Sequence, residues 1–235
     1  MKKSKRYLEQ RKKIEDKLYP IKDSINLIKD IASAKFDESV EMHLVTSADP
    51  KNAEEQIRTV ADLPHGTGKE TKVLVFAEGD AAATAKESGA DYISDDEIVK
   101  KIEDGWLDFD VAIATPDQMS KIGKLGKYLG RKGLMPNPKT GTVVQPQNIA
   151  KSIEASRKGR TEIKLDSASV IHFNVGKSSF SDDQLFENLK SVVKTIYDSK
   201  PEGLKGKLVK KASISTTMGP GIQLDIEDLE SSIYN

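Results

Sequence analysis

Between residues 71 and 157 the hydrophobic pattern alternates between short β-branched runs and helical spacing, while the segments on both sides return to a two-residue period. That switch constrains the fold more than any other feature. Strand-like VLVFA (73–77) precedes a helical AAATAKES (81–88), and ADYIS (90–94) precedes DDEIVKKIEDG (95–105). FDVAIAT (109–115) runs into a basic helix, and TVV with the helix QNIAKSIEASR (147–157) closes the series. Strand–helix alternation of this kind predicts a small parallel sheet covered by helices on both faces. Turn-rich LPHGTGKE (63–70) and basic RKGR (157–160) mark its edges as domain seams.

The flanks read differently. Residues 4–18 predict a charged helix, docked or mobile, and Ile21, Ile25, Ile28 and Ala32 predict an amphipathic one. A strand follows in which Val40, Met42 and Leu44 point one way and Glu41 and His43 the other. Asp49-Pro50 starts a helix expected to reach about Val60. Beyond the second seam, EIKLD (162–166), SVIHFNVG (169–176), ASISTTMG (212–219) and IQLDI (222–226) alternate at the strand period. Among them lies a helix over 181–199, with Ser181 as its cap. Set side by side, these strands put Ile163, Leu165, Ile171, Phe173, Val175, Ile214 and Leu224 on a core face. The other face carries Lys164, Asp166, His172, Asn174, Ser213, Ser215 and Thr217, joined by Glu41 and His43. Hydroxyls, amides and imidazoles in that mixture suit RNA 2′-hydroxyls and phosphates better than a plain solvated face would.

Charge divides the chain again. The net charge is zero, but the acids crowd into residues 69–120 while Lys121 to Gly141 holds Lys121, Lys124, Lys127, Arg131, Lys132 and Lys139 without one acid. A neutral protein can thereby offer a basic face to a polyanion. Within TPDQMSKIGKLGKYLGRKGLMPNPKTG (115–141), Thr115 and Gln118 have capping-box spacing. Gly123, Gly126 and Gly130 each cost about 1 kcal/mol in a helix interior, which predicts close backbone approach or early fraying.

Enzyme chemistry finds no footing. No run matches the phosphate-binding loop of nucleotide hydrolases, and the glycines follow a helix where a dinucleotide fingerprint needs a strand. The turn after the first middle strand, Glu78-Gly79-Asp80, is acidic where a phosphate needs donors. His43, His65 and His172 lack metal-ligand spacing, and without cysteine the chain has neither disulfides nor thiolate chemistry. No metal and no cofactor is expected. No apolar run approaches the roughly 20 residues that cross a bilayer, and the basic N-terminus lacks the apolar core of a signal peptide, which favours the cytosol.

LGRKGLMPNPKTGT closely resembles the signature of a bacterial family, large-ribosomal-subunit protein number one, the stalk protein beside the tRNA exit site. KFDESVE (35–41), LPHGTGK (63–69), VGKSSF (175–180) and STTMGPG (215–221) resemble further landmarks of that family. The resemblance implies an α/β protein of two domains. A split α+β domain with an antiparallel sheet, residues 1–67 and 160–235, would be the main binder of large-subunit ribosomal RNA. Residues 68–159 would be an inserted Rossmann-like α/β domain. Carried over by position, the implied contacts are Lys35, Phe36, Ser39, Glu41, Asp166, His172, Thr217, Met218 and Gly219, with Lys164 and Ser215 added from the polar face. The six cations of 121–141 form a secondary basic loop. Ser39 departs from the family's usual threonine, keeping the hydroxyl but losing a methyl. The implied role is structural and dynamic: forming the mobile stalk, assisting release of deacylated exit-site tRNA, and repressing its own messenger, as a cytoplasmic protein that is monomeric off the ribosome. The alternatives are a free-standing RNA-binding regulator and a nucleotide-dependent enzyme built on the middle domain.

Overall fold

The computed structural model describes residues 4–234. In chain order the helices are α1 (Lys5–Lys12), α2 (Ile21–Ile31), α3 (Asp80–Glu87), α4 (Asp96–Glu103), α5 (Met119–Leu129), α6 (Ile149–Gly159), α7 (Asp182–Asp198) and α8 (Ile226–Tyr234). The strands are β1 (Ser39–Thr46), β2 (Arg58–Asp62), β3 (Val73–Phe76), β4 (Tyr92–Ile93), β5 (Val111–Ala114), β6 (Arg160–Lys164), β7 (Val170–Lys177), β8 (Val209–Thr216) and β9 (Ile222–Leu224). The chain divides into two compact units, one of residues 1–68 with 160–235 and one of 69–159. It passes between them at Gly68 and Gly159, whose φ angles of 73° and 103° fall where only glycine is unstrained.

The first unit is built on a four-stranded sheet in the order β7-β1-β8-β9, with every pair antiparallel. Burial along β1 alternates without exception, and Val40, Met42 and Leu44 are fully buried. They join one core with Ile21, Ile25 and Ile28 of α2 and Leu185, Leu189, Val192, Val193 and Ile196 of α7. A capping box starts α7: the Ser181 hydroxyl accepts from Gln184 N, and the Gln184 side chain accepts from Ser181 N. Asn188, buried on α7, donates to the carbonyls of Gly66 and Val175 and accepts from His65 N. That side chain fastens the turn-rich LPHGTG segment to the sheet.

Three expectations fail in this unit. The helix expected from Asp49-Pro50 to Val60 is a short 3-10 turn (Ala53–Glu55) followed by strand β2. Asn52 caps that turn, and β-branched Thr59 and Val60 pair with Ile163 and Glu162, so a distant strand overrides local helix propensity. In consequence EIKLD does not lie in the main sheet: β6 pairs with β2 as a separate two-stranded sheet. An isolated bridge between Leu165 and Ile171 and the bond from Asp166 N to the Val170 carbonyl connect it to β7. The charged N-terminal helix stops at Lys12 instead of 18. It is docked, because buried Gln10 donates to the Ile31 carbonyl and the Ser33 hydroxyl.

The second unit is a three-stranded parallel sheet in the order β4-β3-β5, as the alternation predicts. Leu74 and Phe76 of β3 enter one cluster with Ile102 of α4 and Ile122, Leu125 and Leu129 of α5. Val73 and Val75 enter the other with Ala85 of α3 and Ile149 and Ile153 of α6. Burial on both faces is why VLVF reads as a continuous apolar run. Two details of the basic helix differ from expectation. Thr115 makes no side-chain cap; it is buried, and its hydroxyl donates to the Phe76 carbonyl at 3.4 Å. A Cβ added at Gly123, Gly126 or Gly130 would meet nothing within 4 Å, so these glycines permit no close packing in the unit, and the helix runs unbroken to Leu129.

Candidate nucleic-acid interface

At one end of the four-stranded sheet, two turns distant in sequence meet. The 33–38 turn enters β1 and the 217–221 turn leaves β8. Glu38 joins them. Its side chain is 1% exposed; Oε1 accepts from the N–H groups of Ser33 and Ala34, and Oε2 accepts from Met218 N at 2.9 Å. Burial alone would raise this carboxyl's pKa, but the backbone donors outweigh it and hold the group below the ordinary value. Asp37 is held low chiefly by the Ser179 hydroxyl, and it accepts from Ser178 as well, so KFDES is clamped to the VGKSSF turn.

Two large apolar side chains stand in solvent at this end, Phe36 at 55% and Met218 at 48% exposure. At the same end Ser39 and Thr217 exchange bonds: Thr217 N donates to the Ser39 carbonyl, and Ser39 N donates to Thr217 Oγ1, both at 3.0 Å. The Thr217 hydroxyl also donates to the Ser39 carbonyl at 3.4 Å, so what it leaves open is one acceptor site. Lys177, which periodicity alone does not single out, donates from Nζ to Ser39 Oγ at 2.9 Å, a bond that uses the hydroxyl as acceptor and not as donor. A Cβ on Gly219 would come within 2.4 Å of Thr216 Oγ1. Close packing of the turn against the last residue of β8 thus favours that glycine, whatever approaches from outside. Lys35 is exposed beside Phe36.

Along the outer face, cross-strand register sets residues in rows. Glu41 lies opposite Asn174 and Ser215; His43 lies opposite His172 and Ser213. Sequence spacing places no two histidines together, but register does: His43 Nδ1 and His172 Nδ1 are 2.8 Å apart. Asp166 closes the turn before β7, accepting from Ala168 N and Val170 N, with His172 Nε2 3.4 Å from its other oxygen. Backbone donation from Val170 is the main reason its carboxyl sits below the ordinary value. Lys164 stands apart from these rows, opposite Arg58 in the β2–β6 sheet.

The secondary basic loop belongs wholly to the second unit. Lys124, Lys127 and Arg131 recur at helical spacing on an exposed side, with Lys132 and Lys139 exposed beyond. Lys121 is the exception, because it is paired with Glu78, the acid of the turn after β3. That pair occupies the place where a nucleotide fold offers backbone donors to phosphate. Among the described residues no three histidines, cysteines or acids converge on a metal position.

The sheet thus presents a polar outer face with exposed Phe36, Met218 and Lys35 at one end. The sequence profile of the Ribosomal protein L1p/L10e family matches residues 28–220 of the chain. The chain belongs to this family. Membership makes it a ribosomal protein and not an enzyme. It is 57% identical to large ribosomal subunit protein uL1 of Dehalococcoides mccartyi, across 88% of each chain. Proteins of the same name from Fervidobacterium nodosum and Kosmotoga olearia are 51% and 49% identical, over 96% and 95% of this chain and 96% of their own lengths. Within the family match fall both turns of the sheet end, Lys35–Glu38 and Thr217–Gly219, and the whole glycine-lysine segment of α5.

Proposed function

We propose that the outer face and exposed end of the four-stranded sheet bind large-subunit ribosomal RNA. As a family member the protein is a structural constituent of the large ribosomal subunit, and it works where ribosomes do, in the cytoplasm. No helix among the described residues is long and apolar enough to cross a membrane. The observation that carries the RNA reading is the exposure of Phe36 and Met218 on the two turns that Glu38 and the Ser39–Thr217 exchange join. Two apolar side chains held in solvent by a buried carboxylate are costly for the free protein, and they gain a partner when a base or ribose covers them. Beside them Lys35, Ser39, Glu41, Ser215 and Thr217 supply donors and acceptors, and His172 with Asp166 extends the face.

On this reading the protein binds as a monomer and forms the mobile stalk, assists release of exit-site tRNA, and represses its own messenger when that RNA imitates the ribosomal site. The exposed cations of α5 and its following turn supply weaker, sequence-independent contacts. Ultraviolet crosslinking in its own cells tests the proposal. Large-subunit ribosomal RNA is expected on peptides spanning 35–41 and 215–219. Crosslinks to messengers alone would point to the free-standing regulator instead.

A further inference from the structure

Four side chains on the outer face form one row of polar contacts, from the turn ahead of β7 across β7, β1 and β8. Asp166 Oδ2 lies 3.4 Å from His172 Nε2, His172 Nδ1 lies 2.8 Å from His43 Nδ1, and His43 Nε2 lies 3.1 Å from Ser215 Oγ. The two rings meet edge to face, with centroids 5.0 Å apart. Two imidazole nitrogens at that distance need one proton between them, since two lone pairs or two N–H groups would repel.

Two proton counts complete the row. With both rings neutral, His43 Nδ1–H donates to His172 Nδ1, and His172 Nε2–H donates to Asp166. The bare His43 Nε2 then draws the Ser215 hydroxyl hydrogen inward. Adding one proton places it on His43 Nε2, which now donates to Ser215 Oγ, and the hydroxyl hydrogen turns outward. A further proton would put hydrogens on both Nδ1 atoms and break the pair. The row therefore has two satisfied states, which differ by one proton and by the direction in which Ser215 donates.

We propose that the singly protonated His43–His172 pair is the RNA-binding form, so that binding takes up one proton and Ser215 donates its hydroxyl hydrogen to a phosphate oxygen. The proposal rests on the RNA reading above and deepens it. Phosphate oxygens only accept hydrogen bonds, and their charge favours the cationic pair, so donor direction and charge act together. His43 and His172 are thus positioning residues that set which way Ser215 faces.

The surrounding groups set where the switch operates. Burial and then the neighbouring His172 push His43 below the ordinary histidine value, while Glu41 on its own strand pulls the other way. Asp166 ahead of β7 favours the cation, and exposed Lys211 on β8, opposite Val45, disfavours it. Gln223, which faces Ser213 from β9, is uncharged. In the free protein His43 therefore holds its proton less tightly than an ordinary histidine, and RNA raises that proton affinity. Between the free and bound values, RNA affinity increases as pH falls, with a limiting slope of one proton.

The test is binding of the full chain to large-subunit ribosomal RNA at fixed ionic strength between about pH 8 and about pH 6, the range in which histidine titrates. Wild type is expected to tighten by about tenfold across this range. His43→Gln and His172→Gln are expected to bind with no such gain, while His65→Gln, whose ring pairs with Glu187 away from the row, keeps it. Imidazole nitrogen shifts of wild type provide a readout that needs no variant to fold: bound RNA should place protons on both Nε2 atoms at a pH where the free pair is neutral. Unchanged or falling wild-type affinity toward low pH, full retention of the gain in His43→Gln, or a bound pair that stays neutral would each overturn the proton switch while leaving RNA binding intact. Absence of binding at every pH would overturn both readings.

Discussion

Glu38 illustrates how one buried charge can specify a surface. Its three backbone donors come from both turns of the sheet end, so removing the charge loosens Phe36 and Met218 together. Glu38→Gln should cost about 1–3 kcal/mol at neutral pH, read as a lower melting temperature. Because the folded carboxyl sits below its ordinary value of 4.5, its stabilisation is present above that value and is lost as pH falls through the folded pKa. The gap between Glu38→Gln and wild type should therefore narrow below the ordinary value of 4.5 and close as pH passes through the folded pKa; a constant gap would mean the charge is not what matters. Thr217→Val has two effects, because its hydroxyl already serves Ser39 N. It should lower stability by about 1 kcal/mol and RNA affinity by roughly 2- to 12-fold, measured by filter binding. Lys124→Ala and Lys132→Ala should change affinity less and flatten its salt dependence.

At the scale of elements, α5 is the informative case. Open space around Gly123 and Gly126 means the fold does not need them. Gly126→Ala should stabilise the protein by about 1 kcal/mol through helix propensity alone, visible as a higher melting temperature. A destabilised variant would reveal a close approach. The β3-to-α3 turn makes a second prediction. With Glu78 paired to Lys121 and Gly79 offering no side-chain cap, ATP, GTP and NAD at millimolar concentration should leave melting unchanged. Saturation at about 100 times a dissociation constant would add roughly 2.7 kcal/mol and could not be missed.

For the whole molecule, each unit holds its own core: one cluster gathers α2, α7 and the four-stranded sheet, and two others sandwich β3 and β5. Residues 1–68 joined to 160–235 by a short linker should fold and keep most RNA affinity. Residues 69–159 alone should bind weakly and without sequence preference. Equal affinity of the isolated second unit for ribosomal RNA would make the α5 segment the recognition element and displace the sheet.

Elements whose hydrophobic period is long and regular are legible without coordinates. The α7 stripe, the alternation of β1 and the strand–helix series of the middle unit all follow from side chains that must share one buried face. The sequence also carried the family's landmark runs, and with them the class of partner. Which strands are neighbours emerges from the folded chain. The β2–β6 pairing converts an expected helix into a strand because β-branched residues at 59 and 60 find partners about a hundred positions away. Register between β1 and β7 brings His43 and His172 within 2.8 Å, and that of β1 with β8 adds Ser215. Local spacing records which face a residue takes, whereas contact across strands depends on chain segments whose pairing no local period encodes.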